Sequence, residues 1–297
     1  MPIPRDKMRL VEQFCREEAT ATKAYELLAS KTGDKELRRI LKAFAEQERR
    51  HMEFWSRVLG KHCEPYGWKL KGLSLLYKLL GPVFVLQLLE RGEEDAVRSY
   101  REFLPHVDGE ERKILESIIA DEETHEHELL ERVEDVRVKY LGYVALGLAD
   151  AIVEITGVHA GFLGATSNTI MAGVAGLVVG FSAALSMAGA AYLQAKHGGE
   201  TKPSTSAMVT GASYIFSVVL LALPYFLTHN MLLAFTTSLL LAFLLTGAFT
   251  FYSTVVQGKS FTREFLESAT LMIGTAIGSF LFGELLGRIF GIENIET

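Results

Sequence analysis

The residues best suited to chemistry lie in the first half of the chain and repeat. Glu18 opens E-A-T-A-T-K-A-Y, ending at Tyr25, and Glu93 opens E-E-D-A-V-R-S-Y, ending at Tyr100. Each Glu and Tyr are two helical turns apart and so share one face. Glu48-x-x-His51 and Glu122-x-x-His125 alternate with them, and the i, i+3 spacing turns carboxylate and imidazole the same way. The order Glu, Glu-x-x-His, Glu, Glu-x-x-His is the ligand pattern of a helical bundle that holds two adjacent iron ions. Hard carboxylates bridge and neutralise such a pair, while one imidazole per metal leaves positions open for O₂ or peroxide. Manganese accepts the same donors. A single Glu-x-x-His on a charged helix is more often a solvated face; the alternating repeat carries the reading. Tyr25 and Tyr100 read as hydrogen-bond partners that orient ligand carboxylates, with ordinary amphipathic packing as the alternative, and no residue is assigned a catalytic role.

Four helices must position these groups, over about 6–30, 34–60, 82–104 and from 110 past 139. Asp34 caps the second, Pro82 opens the third and Asp108-Gly109 introduces the fourth. The Leu- and Val-rich stretch 72–90 is broken by Lys78 and Gly81-Pro82, too short between breaks to span a bilayer, and reads as interfacial. With no strand signal, the half is an all-α four-helix bundle. Cys15 and Cys63 are the only cysteines and form no C-x-x-C motif, so no disulfide framework is expected and a reduced cytosol fits. The opening MPIPRDKMRLVEQF enters an amphipathic pattern rather than a secretory signal, so this domain is expected to stay inside.

Composition changes sharply after residue 139. Residues 1–139 hold 25 basic and 28 acidic residues, and the remaining 158 hold only 5 and 8. Neither half has a basic surplus, which argues against nucleic-acid binding. The reading is a soluble domain over 1–139 and a transmembrane domain over 140–297 with apolar spans near 141–163, 170–195, 207–228, 231–256 and 266–288. Basic residues fall on alternate loops: Arg132, Arg137 and Lys139 before the first span, Lys196 and Lys202 after the second, Lys259 and Arg263 after the fourth. That bias puts the bundle in the cytoplasm. Asp150 and Glu154 lie one turn apart within the first span, where a charge costs about 2.5–3.5 kcal/mol. They line a polar pathway for a cation or proton, or, as the alternative, make a protonated helix–helix hydrogen bond. Met187 is a soft ligand candidate, His159 a packing or separate polar contact, and Glu284 an exit-side or interfacial acid. Gly157-x-x-x-Gly161 and Gly176-x-x-x-Gly180 predict close helix contact, and Pro224 a kink in the third span.

With these residues in place, the soluble half over roughly 6–139 resembles the rubrerythrin and erythrin branch of the ferritin-like superfamily. The resemblance implies that Glu18, Glu48, His51, Glu93, Glu122 and His125 are di-iron ligands, with Glu48 or Glu122 bridging. It departs at Ala96, where rubrerythrin usually has a second glutamate. The membrane half, through LGLADAIVEITGVHAGFLGA, the Ser186-Met187 segment and LALPYFL, is similar to the vacuolar iron transporter family. That likeness implies a five-helix protomer, a homodimer with iron paths near its interface, Fe²⁺ exchanged for protons, and Asp150 and Met187 as pathway ligands. It departs where Ala190-Ala191-Tyr192 stands in place of the family's Gly-Glu-Tyr, and where HGGETKPST replaces an acidic helical hub. The fusion resembles a bacterial and archaeal class of membrane-bound ferritin-like iron exporters, implying a multi-pass protein of a prokaryotic cell membrane. The expected function is export of Fe²⁺ or Mn²⁺ through Asp150, Glu154 and Met187; the rival is a membrane-anchored di-iron peroxidase or ferroxidase.

Overall fold

The structure, a computed structural model, describes residues 7–128, 136–199 and 201–291, without the side chains of 124–128, 136 and 137. The described residues are helical throughout, joined by short turns, and no strand occurs among them. The chain divides into two compact units, residues 1–135 and 136–297.

In the first unit, α1 (Met8–Lys31) and α2 (Lys35–Leu59) pack against each other, α3 (Gly67–Leu80) and α4 (Pro82–Phe103) follow, and a single 3₁₀ turn leads to α5 (Gly109–Glu128). The turn chemistry sets the boundaries. Asp34 accepts hydrogen bonds from the Glu36 and Leu37 amides, Gly60 closes α2 in the left-handed region at φ +75°, and Pro82 stands in the first turn of α4. One core takes Phe14 from α1, Trp55 from α2, Tyr100 and Phe103 from α4, and Leu115 and Ile118 from α5.

Two expectations need correction. Cys15 and Cys63 are disulfide-bonded, with Cα atoms 5.9 Å apart, because α2 returns alongside α1 and brings the segment after it back to Cys15. The stretch 72–90 is not uniformly interfacial either. Gly81-Pro82 divides it, and Val83, Phe84, Val85 and Leu86 beyond the break are buried. Whether the fourth long helix continues to 139 lies outside the described residues; a short helix, α6 (Val136–Lys139), precedes the spans.

The second unit has five helices long and apolar enough to cross a membrane: α7 (Leu141–Ala165), α8 (Thr169–Gly198), α9 (Pro203–Leu227), α10 (Met231–Gln257) and α11 (Phe261–Phe290). Asn168 and Asn230 cap α8 and α10. Helix α7 packs against α8, α9, α10 and α11, so the helix carrying Asp150 and Glu154 is the central one. Small residues permit this. Gly157 and Gly161 face Ser279 on α11, while Gly180 meets Val218 and Ile155. Pro224 sits inside α9, which continues to Leu227.

Candidate metal centre

Glu18 on α1, Glu48 and His51 on α2, and Glu122 on α5 are brought together in the first unit, each offering a ligand atom within 4.8 Å of the others, and all four are buried. The Nδ1 nitrogen of His51 faces the carboxylates, 2.8 Å from Glu122 Oε1, 3.9 Å from Glu18 Oε2 and 4.0 Å from Glu48 Oε2. Its Nε2 lies 3.4 Å from Asp121 on α5, a carboxylate that fixes the ring with Nδ1 turned inward.

The tyrosines cross between helices. Tyr25 on α1 donates to Glu93 Oε1 on α4 at 2.6 Å, and Tyr100 on α4 donates to Glu18 on α1. Each helix therefore orients the glutamate of the other. The Tyr100 ring is wedged by Phe14, edge-on at 4.8 Å, and by Trp55 at 5.2 Å. Burial, then the charges of Glu93 and Glu18 respectively, hold both phenols well above their ordinary pKa, so each remains a donor.

Electrostatics make the cluster able to hold a cation. Burial, and then repulsion from Glu122, push Glu18 up to about 7. Glu48 rises well above the carboxylate range through burial and the charges of Glu122, Glu18 and Glu93. Burial works against a charged His51, but its hydrogen bond to Glu122 and the charges of Glu18 and Glu122 outweigh that and raise it. The three groups hold protons where water-exposed counterparts would have lost them, and a cation of matching charge can replace those protons. The donors, three carboxylates and one imidazole, suit a divalent metal. Family models, curated proteins and solved structures offer no match to this chain.

Glu93 is half-buried and, with Glu18, Glu48 and Glu122, lines a cavity of about 640 Å³ bordered by α1, α3 and α4. Leu73, Leu76, Leu88 and Leu89 supply its apolar wall, and Trp68 stands among its lining residues. The side chain of His125 lies outside the described residues. Asp121 went unread in the sequence because an acid beside Glu122 has no periodic signal of its own.

In the second unit, Glu154 accepts a hydrogen bond from Tyr214 of α9, and Asp150 faces the same phenol. This bond joins α7 to α9 with the tyrosine as donor and the carboxylate as acceptor. Tyr214 is fully buried; a lone tyrosine within an apolar span gave no spacing to find it by. Asp150 is exposed on the flank of the single chain. Met187 packs against the apolar cluster that contains Ala184, Tyr214 and Met272. His159 is buried, its ring 4.0 Å from that of Tyr225. Glu284 pairs with Arg288 one turn on.

Proposed function

We propose that the protein exports ferrous iron, or manganese, from the cytosol in exchange for protons. In this reading an N-terminal ferritin-like bundle of the rubrerythrin and erythrin type captures the metal, and a C-terminal domain resembling vacuolar iron transporters moves it. The supporting observation is the pairing, in one chain, of a buried carboxylate–imidazole cluster with two carboxylates on the central helix of an apolar unit. Glu18, Glu48, His51 and Glu122 hold the captured metal, with Glu93 and His125 as the remaining ligands of a di-iron pair. Asp150 and Glu154 receive the cation in the membrane, Tyr214 yields its place on Glu154, and Met187 adds a thioether. A carboxylate that trades a proton for a cation limits the net charge moved against the membrane potential.

The exposure of Asp150 supports a homodimer. A carboxylate facing acyl chains costs at least about 2.5 kcal/mol, so a second copy covers that flank and the path runs beside the interface. Lys196, Lys202, Lys259 and Arg263 favour the cytoplasmic side for the first unit. Full-length protein in proteoliposomes tests the reading. Fe²⁺ flux driven by a pH gradient is expected to fall on the order of tenfold or more in Asp150→Ala. A variant as fast as wild type removes Asp150 from the path.

One observation favours a second reading, a membrane-tethered ferroxidase or peroxidase: the 640 Å³ cavity leaves room for a small oxidant beside the cluster. On that reading neither protein shows flux, and both consume peroxide at the same metal-dependent rate.

A further inference from the structure

Helix α3 presents two unlike faces. Leu73 is buried and Leu70, Leu76 and Leu80 are half-buried against the first unit, whereas Trp68, Leu75 and Leu79 are 72%, 57% and 63% exposed. At 3.6 residues per turn those three fall within roughly 40° of one another, a single outward apolar ridge. Lys71 and Lys78, both exposed, run along one edge of it. Lys69 lies 5.0 Å from the Tyr66 ring and 5.9 Å from that of Trp68. No acid occurs between Glu64 and Glu90, although the chain as a whole carries a net charge of −6.

A helix of 14 residues cannot cross a bilayer, but a ridge of Trp and Leu flanked by lysines matches one that lies in the plane of the headgroups. The lysines complement anionic lipid, and tryptophan is the side chain best suited to the boundary between headgroups and acyl chains. Because the same chain supplies membrane-spanning helices, a bilayer is always close at hand, whereas a soluble partner must be recruited.

We infer that the outward face of α3, through Trp68, Leu75, Leu79, Lys71 and Lys78, seats in the headgroup layer of an anionic lipid bilayer. Trp68, Lys69, Gly72 and Leu76 also line the cavity that leads to the Glu18–Glu48–Glu122 cluster. If the transport reading holds, metal then enters and leaves that cavity at the membrane surface.

The two tryptophans make the test direct, because Trp55 is 0% exposed in the core and none lies in the spans. Full-length protein is reconstituted in bilayers with and without anionic lipid, and the lipid is brominated near the headgroup end of its acyl chains. Bromolipid is expected to quench about half of the tryptophan emission in anionic bilayers, and almost none in Trp68→Phe. The double variant Lys71→Glu/Lys78→Glu is expected to lose the dependence on anionic lipid. Emission from Trp68 that bromolipid leaves unchanged and aqueous iodide quenches places the face in water and overturns the inference. Protection from both quenchers, lost when the protein is diluted in the membrane, shows a second copy on the ridge and overturns it equally. The readout involves no metal flux, so docking and transport can fail separately.

Discussion

At the scale of single residues, the carboxylate–imidazole cluster is held in a state its neighbours make costly. Glu18 takes up a proton in the folded chain at about 7 rather than at the ordinary 4.5, Glu48 follows in the same direction, and His51 keeps its proton above 6.5. The sign follows from proton counting. Through the window from 4.5 to about 7 these groups bind more protons in the folded than in the unfolded chain, so their contribution to the stability of the metal-free first unit falls as pH rises. Metal binds only the deprotonated donors, so its affinity moves the opposite way, climbing as pH rises towards 7 by up to about tenfold per pH unit for each proton displaced. Calorimetric titration with Mn²⁺ between about pH 5.5 and 7.5, in buffers of different ionisation enthalpy, is expected to show proton release and weaker binding in acid. An affinity flat across that range would mean that the three groups do not receive the metal. The cluster was legible in the sequence because i, i+3 and i, i+7 spacings survive any arrangement of the helices. The crossing of Tyr25 to Glu93 and of Tyr100 to Glu18 was not, since it depends on how α1 and α4 face each other.

At the scale of elements, most helix boundaries were legible because Asp34, Gly60 and Pro82 act locally, through a cap, a left-handed residue and a fixed φ. Packing partners were less so. Gly157 and Gly161 announced a close contact without saying that α11 supplies it, and the matching surface there combines Ser279 with Gly283-x-x-x-Gly287, a second motif of small residues on the partner helix. A Cβ on Gly283 would stand 2.0 Å from the Gly161 carbonyl oxygen, a backbone atom that cannot rotate away, whereas Gly274 and Gly278 on the same helix have open space. Gly283→Ala is therefore expected to separate α7 from α11 and destabilise the membrane unit by about 1–3 kcal/mol. Gly274→Ala is expected to be neutral or slightly stabilising, since alanine is the better helix former. Thermal unfolding of both variants in detergent tests this pair, and equal midpoints would show that the helices do not meet as closely as described.

At the scale of the whole molecule, the cysteines show how far a linear reading reaches. Spacing alone gave Cys15 and Cys63 no reason to pair, and only the return of α2 alongside α1 joins them across 48 positions of sequence. The bond lies one helical turn from Glu18 and in the same core as Trp55 and Tyr100, so it braces the wall that aims Tyr100 at Glu18. Closing a loop of that length removes unfolded-chain entropy worth about 4 kcal/mol on the loop-entropy account. In most cytosolic proteins such a bond is transient, formed under oxidation and lost under reduction. If the alternating basic loops place the first unit in the cytoplasm, that unit is then more stable in an oxidised cell than in a reduced one, at the time when free iron and peroxide are most harmful together. The double variant Cys15→Ser/Cys63→Ser is expected to unfold at lower denaturant, followed through the buried Trp55, with a loss near 4 kcal/mol. Reductant is expected to shift wild type to the midpoint of the variant and leave the variant itself unmoved. Identical midpoints for wild type and variant without reductant would show that the bond contributes nothing, and the argument from redox state would go with it.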